Sequence, residues 1–127
     1  MVSHQPVILI VEDDESLRAL WRTALRLEAF DVVEAGDGLD ALKLVEASPP
    51  DLVVLDLGLP HVDGVSVRED LAAQFFSRTI PIVVITGSNA DLSRLGVSCV
   101  LRKPVTVDQV VRVVRQCMPS PTPMVGT

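Results

Sequence analysis

Five short apolar runs punctuate the chain, separated by longer amphipathic stretches. They are Val7–Val11, the weaker Asp31–Ala35, Leu52–Leu55, Ile80–Ile85 and Val97–Leu101. Runs of this length and Val/Ile/Leu content suit strands buried on both faces. Between them the period changes to that of a helix. Ser16–Glu28 sets Leu17, Leu20, Trp21 and Ala24 on one face, at i, i+3, i+4, i+7 spacing. A turn at Gly36-Asp37-Gly38 leads into a second helix with Ala41, Leu42 and Val45 inward, closed off by Ser48-Pro49-Pro50. After a loop, Leu57–Gly64, a third period places Val67, Leu71 and Phe75 inward. The last helix opens with Thr106 and Gln109 at capping-box spacing and carries Val107, Val110, Val111 and Val114 as its apolar stripe.

Strands alternating with helices predict βα units around a parallel sheet. Polar residues follow four of the runs: Glu12-Asp13-Asp14-Glu15, Asp56 and Thr86-Gly87 directly, and Lys103-Pro104 shortly after the last run. Open α/β sheets bind ligands at the carboxyl ends of their strands. For the acid run to reach Asp56, the first and third strands must be neighbours. With right-handed crossovers this predicts an α/β, flavodoxin-like doubly wound sheet of five parallel strands in the order 2-1-3-4-5.

Clustered carboxylates at such a point imply a divalent cation, and Mg²⁺ needs only one or two of them because it keeps several waters. A carboxylate such as Asp56 can take a phosphoryl group as an acyl phosphate. That transfer asks mainly for positioning and charge neutralisation, which Mg²⁺ and Lys103, one of two lysines in the chain, would supply. Bland readings suit the neighbours. Asp14 and Glu15 fit a solvated first helical turn, His4 and His61 have no partner at metal-ligand spacing, and Arg112 and Arg115 read as the solvated face of the last helix.

From Val7 through Cys117 the order acid cluster, Asp, Thr, Lys-Pro resembles the receiver (phosphoacceptor) domain of two-component response regulators. The resemblance implies Asp56 as phosphoacceptor, with Asp13 and Asp56 as direct Mg²⁺ ligands, Glu12 acting through water and the Gly58 backbone carbonyl completing the set. It implies that Thr86 donates its hydroxyl to a phosphoryl oxygen and that the Lys103–Pro104 bond is cis. The implied partners are a histidine kinase or phosphotransfer protein upstream and an unidentified protein target downstream, with a homodimer left open. The chain would catalyse only its own phosphorylation and dephosphorylation. Two other classes stand beside this one. A phosphorylation-independent receiver-like interaction module would normally lack one of the acids, the Asp or the Lys. A hydrolase of the haloacid-dehalogenase kind would carry Asp-x-Asp after its first strand.

The chain departs from the receiver pattern at three places. Val100 stands where an aromatic is usual. The Thr86–Lys103 stretch is short by about five residues, more than one helical turn, and only Leu92 and Leu95 remain as anchors, so the fourth helix is expected to be shortened or missing and Ser88–Gly96 to order on phosphorylation. Ala29 replaces a common helix-ending glycine, at up to about 1 kcal/mol if its conformation is left-handed.

Composition adds boundaries. The 127 residues suit one domain, residues 1–118, followed by a disordered Pro-rich tail over 119–127. Eleven basic against 17 acidic residues give a net charge of −6, which argues against direct nucleic-acid binding. Cys99 and Cys117 lack CxxC spacing and are expected to be reduced core thiols, as in a cytoplasmic protein. Met1–Pro6 has no basic n-region and the apolar run after it is short, so neither a signal peptide nor a membrane span is expected.

Overall fold

The computed structural model describes residues 5–56, 80–87 and 99–118. Within them β1 (Val7–Val11), β2 (Asp31–Ala35), β3 (Leu52–Asp56), β4 (Ile82–Thr86) and β5 (Cys99–Arg102) form one parallel sheet in the order β2-β1-β3-β4-β5. Helices α1 (Glu15–Leu27), α2 (Gly38–Ala47) and α3 (Val107–Cys117) pack against it. The expected flavodoxin-like strand order is the observed one. β4 starts at Ile82, not at Ile80, because Pro81 has no N–H to give to the ladder; its carbonyl still accepts from Val53 N at 3.0 Å.

Alternation along the strands divides the core in two. Leu9, Val11, Val53, Leu55 and Val84 meet Ala41 and Val45 of α2 on one face. Ile8, Ile10, Leu52, Val54, Val83 and Ile85 meet Trp21 and Leu25 of α1 and Val110 and Val114 of α3 on the other. β3 and β4 are buried at every residue, as strands covered on both faces must be. The register then sets the site. Val11 pairs with Leu55, so Glu12 and Asp56 follow a matched pair at the same level. Asp56 pairs with Ile85 and Thr86 with Arg102, so Thr86 and then Lys103 each emerge one step further along.

The inward face of α1 differs from the expected one. Trp21 and Leu25 are buried, whereas Leu20 is 51% exposed. At 3.6 residues per turn, Leu25 lies only about 40° around the axis from Trp21, and Leu20 lies about 100° away. The stripe that packs is therefore Leu17, Trp21, Leu25, and Leu20 falls outside it. Asp14 is exposed at the start of α1, as expected, and is moreover its N-cap, accepting from Leu17 N at 3.1 Å.

α1 ends as its sequence suggests. Ala29 has φ 68°, with Ala29 N donating to Arg26 O at 3.1 Å and Phe30 N to Leu25 O at 3.1 Å. This is a Schellman motif, completed by Phe30 and Leu25 in one core cluster. The predicted capping box of α3 is also present, with Thr106 and Gln109 bonded reciprocally at 2.7 and 3.2 Å. The Lys103–Pro104 bond is cis. Arg115, expected only as solvated surface, is exposed but pairs with Glu28, tying α3 to the end of α1.

Cys99 and Cys117 correct the sequence reading. They are joined in a disulfide, with Cα atoms 6.5 Å apart, and are not reduced core thiols. After a βα turn the helix runs back along its strand. The last residue of an eleven-residue helix, about 16 Å long, thus returns to the first residue of a four-residue strand, about 13 Å long. The argument from reduced cysteines to a cytoplasmic location loses that support. Among the described residues no helix is long and apolar enough to cross a membrane.

Several expectations lie outside the described residues: the Leu57–Gly64 loop with Gly58 and His61, the helix with Val67, Leu71 and Phe75, the Ser88–Gly96 stretch with Leu92 and Leu95, His4, and the 119–127 tail.

Ala29 yields a direct test of the backbone. Glycine carries no Cβ penalty at positive φ, so Ala29→Gly should stabilise the fold by about 1 kcal/mol and raise the thermal midpoint by a few degrees. Ala29→Val should lower it. Differential scanning calorimetry decides, and a fall in Ala29→Gly would contradict a left-handed helix end.

Candidate functional site

The carboxyl ends of β1, β3, β4 and β5 bring Glu12, Asp56, Thr86 and Lys103 together. Glu12 continues directly from β1 and its N–H donates to Ala35 O at 3.1 Å, so the backbone is still held by the neighbouring strand where the acid begins. Asp56 is the last residue of β3. Glu12, Asp56 and Thr86 are the buried polar residues of the described chain, at 3%, 1% and 3% exposure. Charged groups at this depth need partners or a change of protonation.

Lys103 is one partner of Asp56. Its Nζ donates to Asp56 Oδ2 at 2.8 Å. The lysine is placed by its own backbone, whose N–H donates to Thr86 O at 2.7 Å, and by its stem, which passes Gly87 within ordinary contact of where a side chain would begin. Burial alone would lower the Lys103 pKa, but the bond to Asp56 and the charges of Asp56, Glu12 and Asp13 outweigh it and hold the ammonium above its usual range. It stays protonated beside the acids.

One ammonium does not satisfy both carboxyls. Burial, reinforced by the neighbouring Asp56 carboxyl, pushes Glu12 up to about 8, against a smaller opposing effect of the Asp14 N–H and Lys103. Glu12 Oε1 accepts from Asp14 N at 3.1 Å, while Glu12 Oε2 is buried and has no hydrogen-bond partner. A buried carboxyl with one unpartnered oxygen, held toward its protonated form beside a second carboxyl, is the kind of site that a small hard cation satisfies by displacing the proton. The donors are all oxygen, which fits Mg²⁺ and disfavours softer metals. Among the described residues no three His, Cys, Asp or Glu side chains gather into a metal cluster. Asp13 is exposed at the mouth of the site, near enough for Lys103 to feel its charge, and Gly58 lies outside the described residues.

One further residue bears on the site. Arg18, one turn into α1, donates Nη1 to Glu12 O at 2.7 Å and Nε to Glu34 Oε1 at 3.1 Å. Arg22 binds both Glu34 oxygens at 2.9 and 2.8 Å. Burial would raise Glu34, but these hydrogen bonds and charges outweigh it and hold its carboxyl below the ordinary range. Arg18 is thus a positioning residue, fixing the backbone of the acid turn from β2. Its trace in the sequence is two arginines four apart facing the second of two acids on the second strand, a pattern easily read as solvated surface.

Comparisons with known proteins identify the family and the fold. A family model described as the response regulator receiver domain matches residues 8–115. The chain is 35% identical over 108 residues to the alkaline phosphatase synthesis transcriptional regulatory protein PhoP of Bacillus subtilis, covering 81% of this chain and 44% of that protein. It is 27% identical over 113 residues to the polar-differentiation response regulator DivK of Brucella anthropi, covering 85% of this chain and 92% of that one. Several of the curated relatives are about twice as long as the matched region. Among solved structures, the signal receiver domain of a putative Luxo repressor protein from Vibrio parahaemolyticus superposes with a TM-score of 0.78 at 29% identity, covering 89% of each chain. A chemotaxis protein of Vibrio cholerae shares the fold with a TM-score of 0.82 at 20% identity, covering 91% of this chain and all of that one.

The Lys103–Asp56 pair can be tested by a double-mutant cycle. Lys103→Met strands Asp56 beside Glu12 with no cation and should cost on the order of 1–2 kcal/mol, after allowing for the access water has to Lys103. Combining it with Asp56→Asn should recover most of that loss. Urea unfolding without divalent metal measures both; additive losses would contradict a coupled pair.

Proposed function

The chain belongs to the response regulator receiver-domain family, a family of signalling domains, and from that premise we propose that Asp56 accepts a phosphoryl group from a histidine kinase or phosphotransfer protein in the presence of Mg²⁺. The observation that carries this reading is the 2.8 Å bond from Lys103 Nζ to a carboxylate 1% exposed at the end of the central strand. A buried carboxylate held by one ammonium, with a second carboxyl left partly unsatisfied beside it, suits an anion and a cation arriving together.

The transfer follows from these groups. An Asp56 carboxylate oxygen attacks the phosphorus of the donor's phosphohistidine, the P–N bond breaks, and the electron pair leaves with the imidazole. Lys103 releases part of its hold on Asp56 to the incoming phosphoryl oxygens, so its charge stays paired throughout. Thr86, on the adjacent strand, donates its hydroxyl to another of those oxygens. Asp13, Asp56, Glu12 through water and the Gly58 carbonyl would hold Mg²⁺, which when bound would neutralise phosphoryl charge. Arg18 keeps the Glu12 backbone from shifting as this charge changes. The acyl phosphate then hydrolyses in the same site, so the chain acts on itself and not on a turnover substrate.

Signalling passes by protein–protein contact, in the cytoplasm, to a partner that distinguishes the two states of this site. Direct nucleic-acid binding is not part of the reading, given the net charge of −6.

Incubation with acetyl phosphate and Mg²⁺, read by intact mass, tests the proposal. Wild type should gain one phosphoryl group, Asp56→Asn none, and Lys103→Ala should be strongly slowed. Without phosphodonor, millimolar Mg²⁺ should raise the thermal midpoint, as RT ln(1 + [Mg²⁺]/Kd) requires of a ligand that binds only the folded state. Equal phosphorylation of wild type and Asp56→Asn would overturn the assignment.

A further inference from the structure

The Cys99–Cys117 bond stands outside the phosphoacceptor chemistry. Cys99 opens β5, which among the described residues is an end strand of the sheet, hydrogen-bonded to β4. Cys117 is the last residue of α3. Both are partly exposed while packing against the core cluster beneath α1 and α3. Their Cα separation of 6.5 Å is within the range that a disulfide spans without moving the backbone.

The rest of the fold brings the two sulfurs together without needing the bond. α3 is already anchored by buried Val110 and Val114, by its capping box and by the Arg115–Glu28 pair. A pair placed side by side by other contacts can open without separating and close again readily.

We propose that Cys99 and Cys117 form a reversible thiol–disulfide site, opened by low-molecular-weight thiols of the glutathione class and closed by the corresponding disulfides. In opening, a thiolate attacks one cysteine sulfur and the S–S bond breaks, its electron pair leaving on the other sulfur, which takes a proton. A second thiol resolves the mixed disulfide. The protein gains two electrons and two protons, and two small thiols become one small disulfide. Opening frees the end of α3 from the start of β5, the strand whose other end leads into Lys103. The covalent tie and the site thus sit at opposite ends of one four-residue strand.

The test uses the full wild-type chain and does not depend on Asp56. The protein is equilibrated at graded ratios of reduced to oxidised glutathione, quenched with an alkylating agent and weighed. The doubly alkylated and unalkylated forms should exchange reversibly, with little singly glutathionylated protein. The reduced chain should stay folded by circular dichroism, with a thermal midpoint lower by on the order of 10 °C and faster hydrogen exchange over Val113–Cys117. Cys117→Ser should instead accumulate the mixed disulfide at Cys99; should that variant fail to fold, the wild-type titration still decides. A bond that resists millimolar glutathione in the folded protein, reduction that unfolds the chain, or reduced protein that yields only mixed disulfides would each overturn the proposal.

Discussion

Two carboxyl groups buried side by side at the ends of adjacent strands, with one ammonium between them and the solvent, are the constraint around which this structure is arranged. Register forces the crowding: Val11 opposite Leu55 leaves Glu12 and Asp56 nowhere to go but the same cleft. Neither acid can be moved outward without slipping a strand, and a one-residue slip would turn every apolar side chain of that strand to the wrong face. The hydrophobic core thus holds in place a charge arrangement that is unfavourable by itself.

The structure offsets the crowding unevenly. Lys103 serves Asp56 directly. Glu12 receives one backbone N–H, is pushed up to about 8 by burial and by Asp56, and keeps an unbonded buried oxygen. Arg18 reaches only the Glu12 carbonyl, and its charge is spent on Glu34. The site therefore has a fixed, satisfied half and an unsatisfied half. That division matches what phosphoryl acceptance asks of a protein: a nucleophile positioned before the reaction, and a place where charge brought in from outside is welcome.

Much of this was legible in the chain. Continuous apolar runs followed by Glu12, Asp56, Thr86 and Lys103 announced the parallel sheet and the edge where these four residues gather, and Ala29, in a place where a helix-ending glycine is common, marked the end of α1 without settling its conformation. What could not be read came from relations between elements. Leu20 and Leu25 offer alternative stripes on either side of Trp21, and the packing of α1 against the sheet buries the one that contains Leu25. Arg18 looks like surface until β2 sets Glu34 beside it. Cys99 and Cys117 are 18 residues apart and look unrelated until α3 is folded back along β5; the doubling-back of a βα unit, once applied, places the two ends together.

The central claim is that Asp56 and Lys103 form the phosphoryl-binding half of the site and the remaining acids its cation-binding half. Fluorine NMR of beryllofluoride, a mimic of the acyl phosphate, addresses both halves at once. The account predicts a protein-bound resonance that requires Mg²⁺ and is lost in Asp56→Asn. A bound resonance that persists in Asp56→Asn, or that forms equally well without any divalent cation, would contradict it.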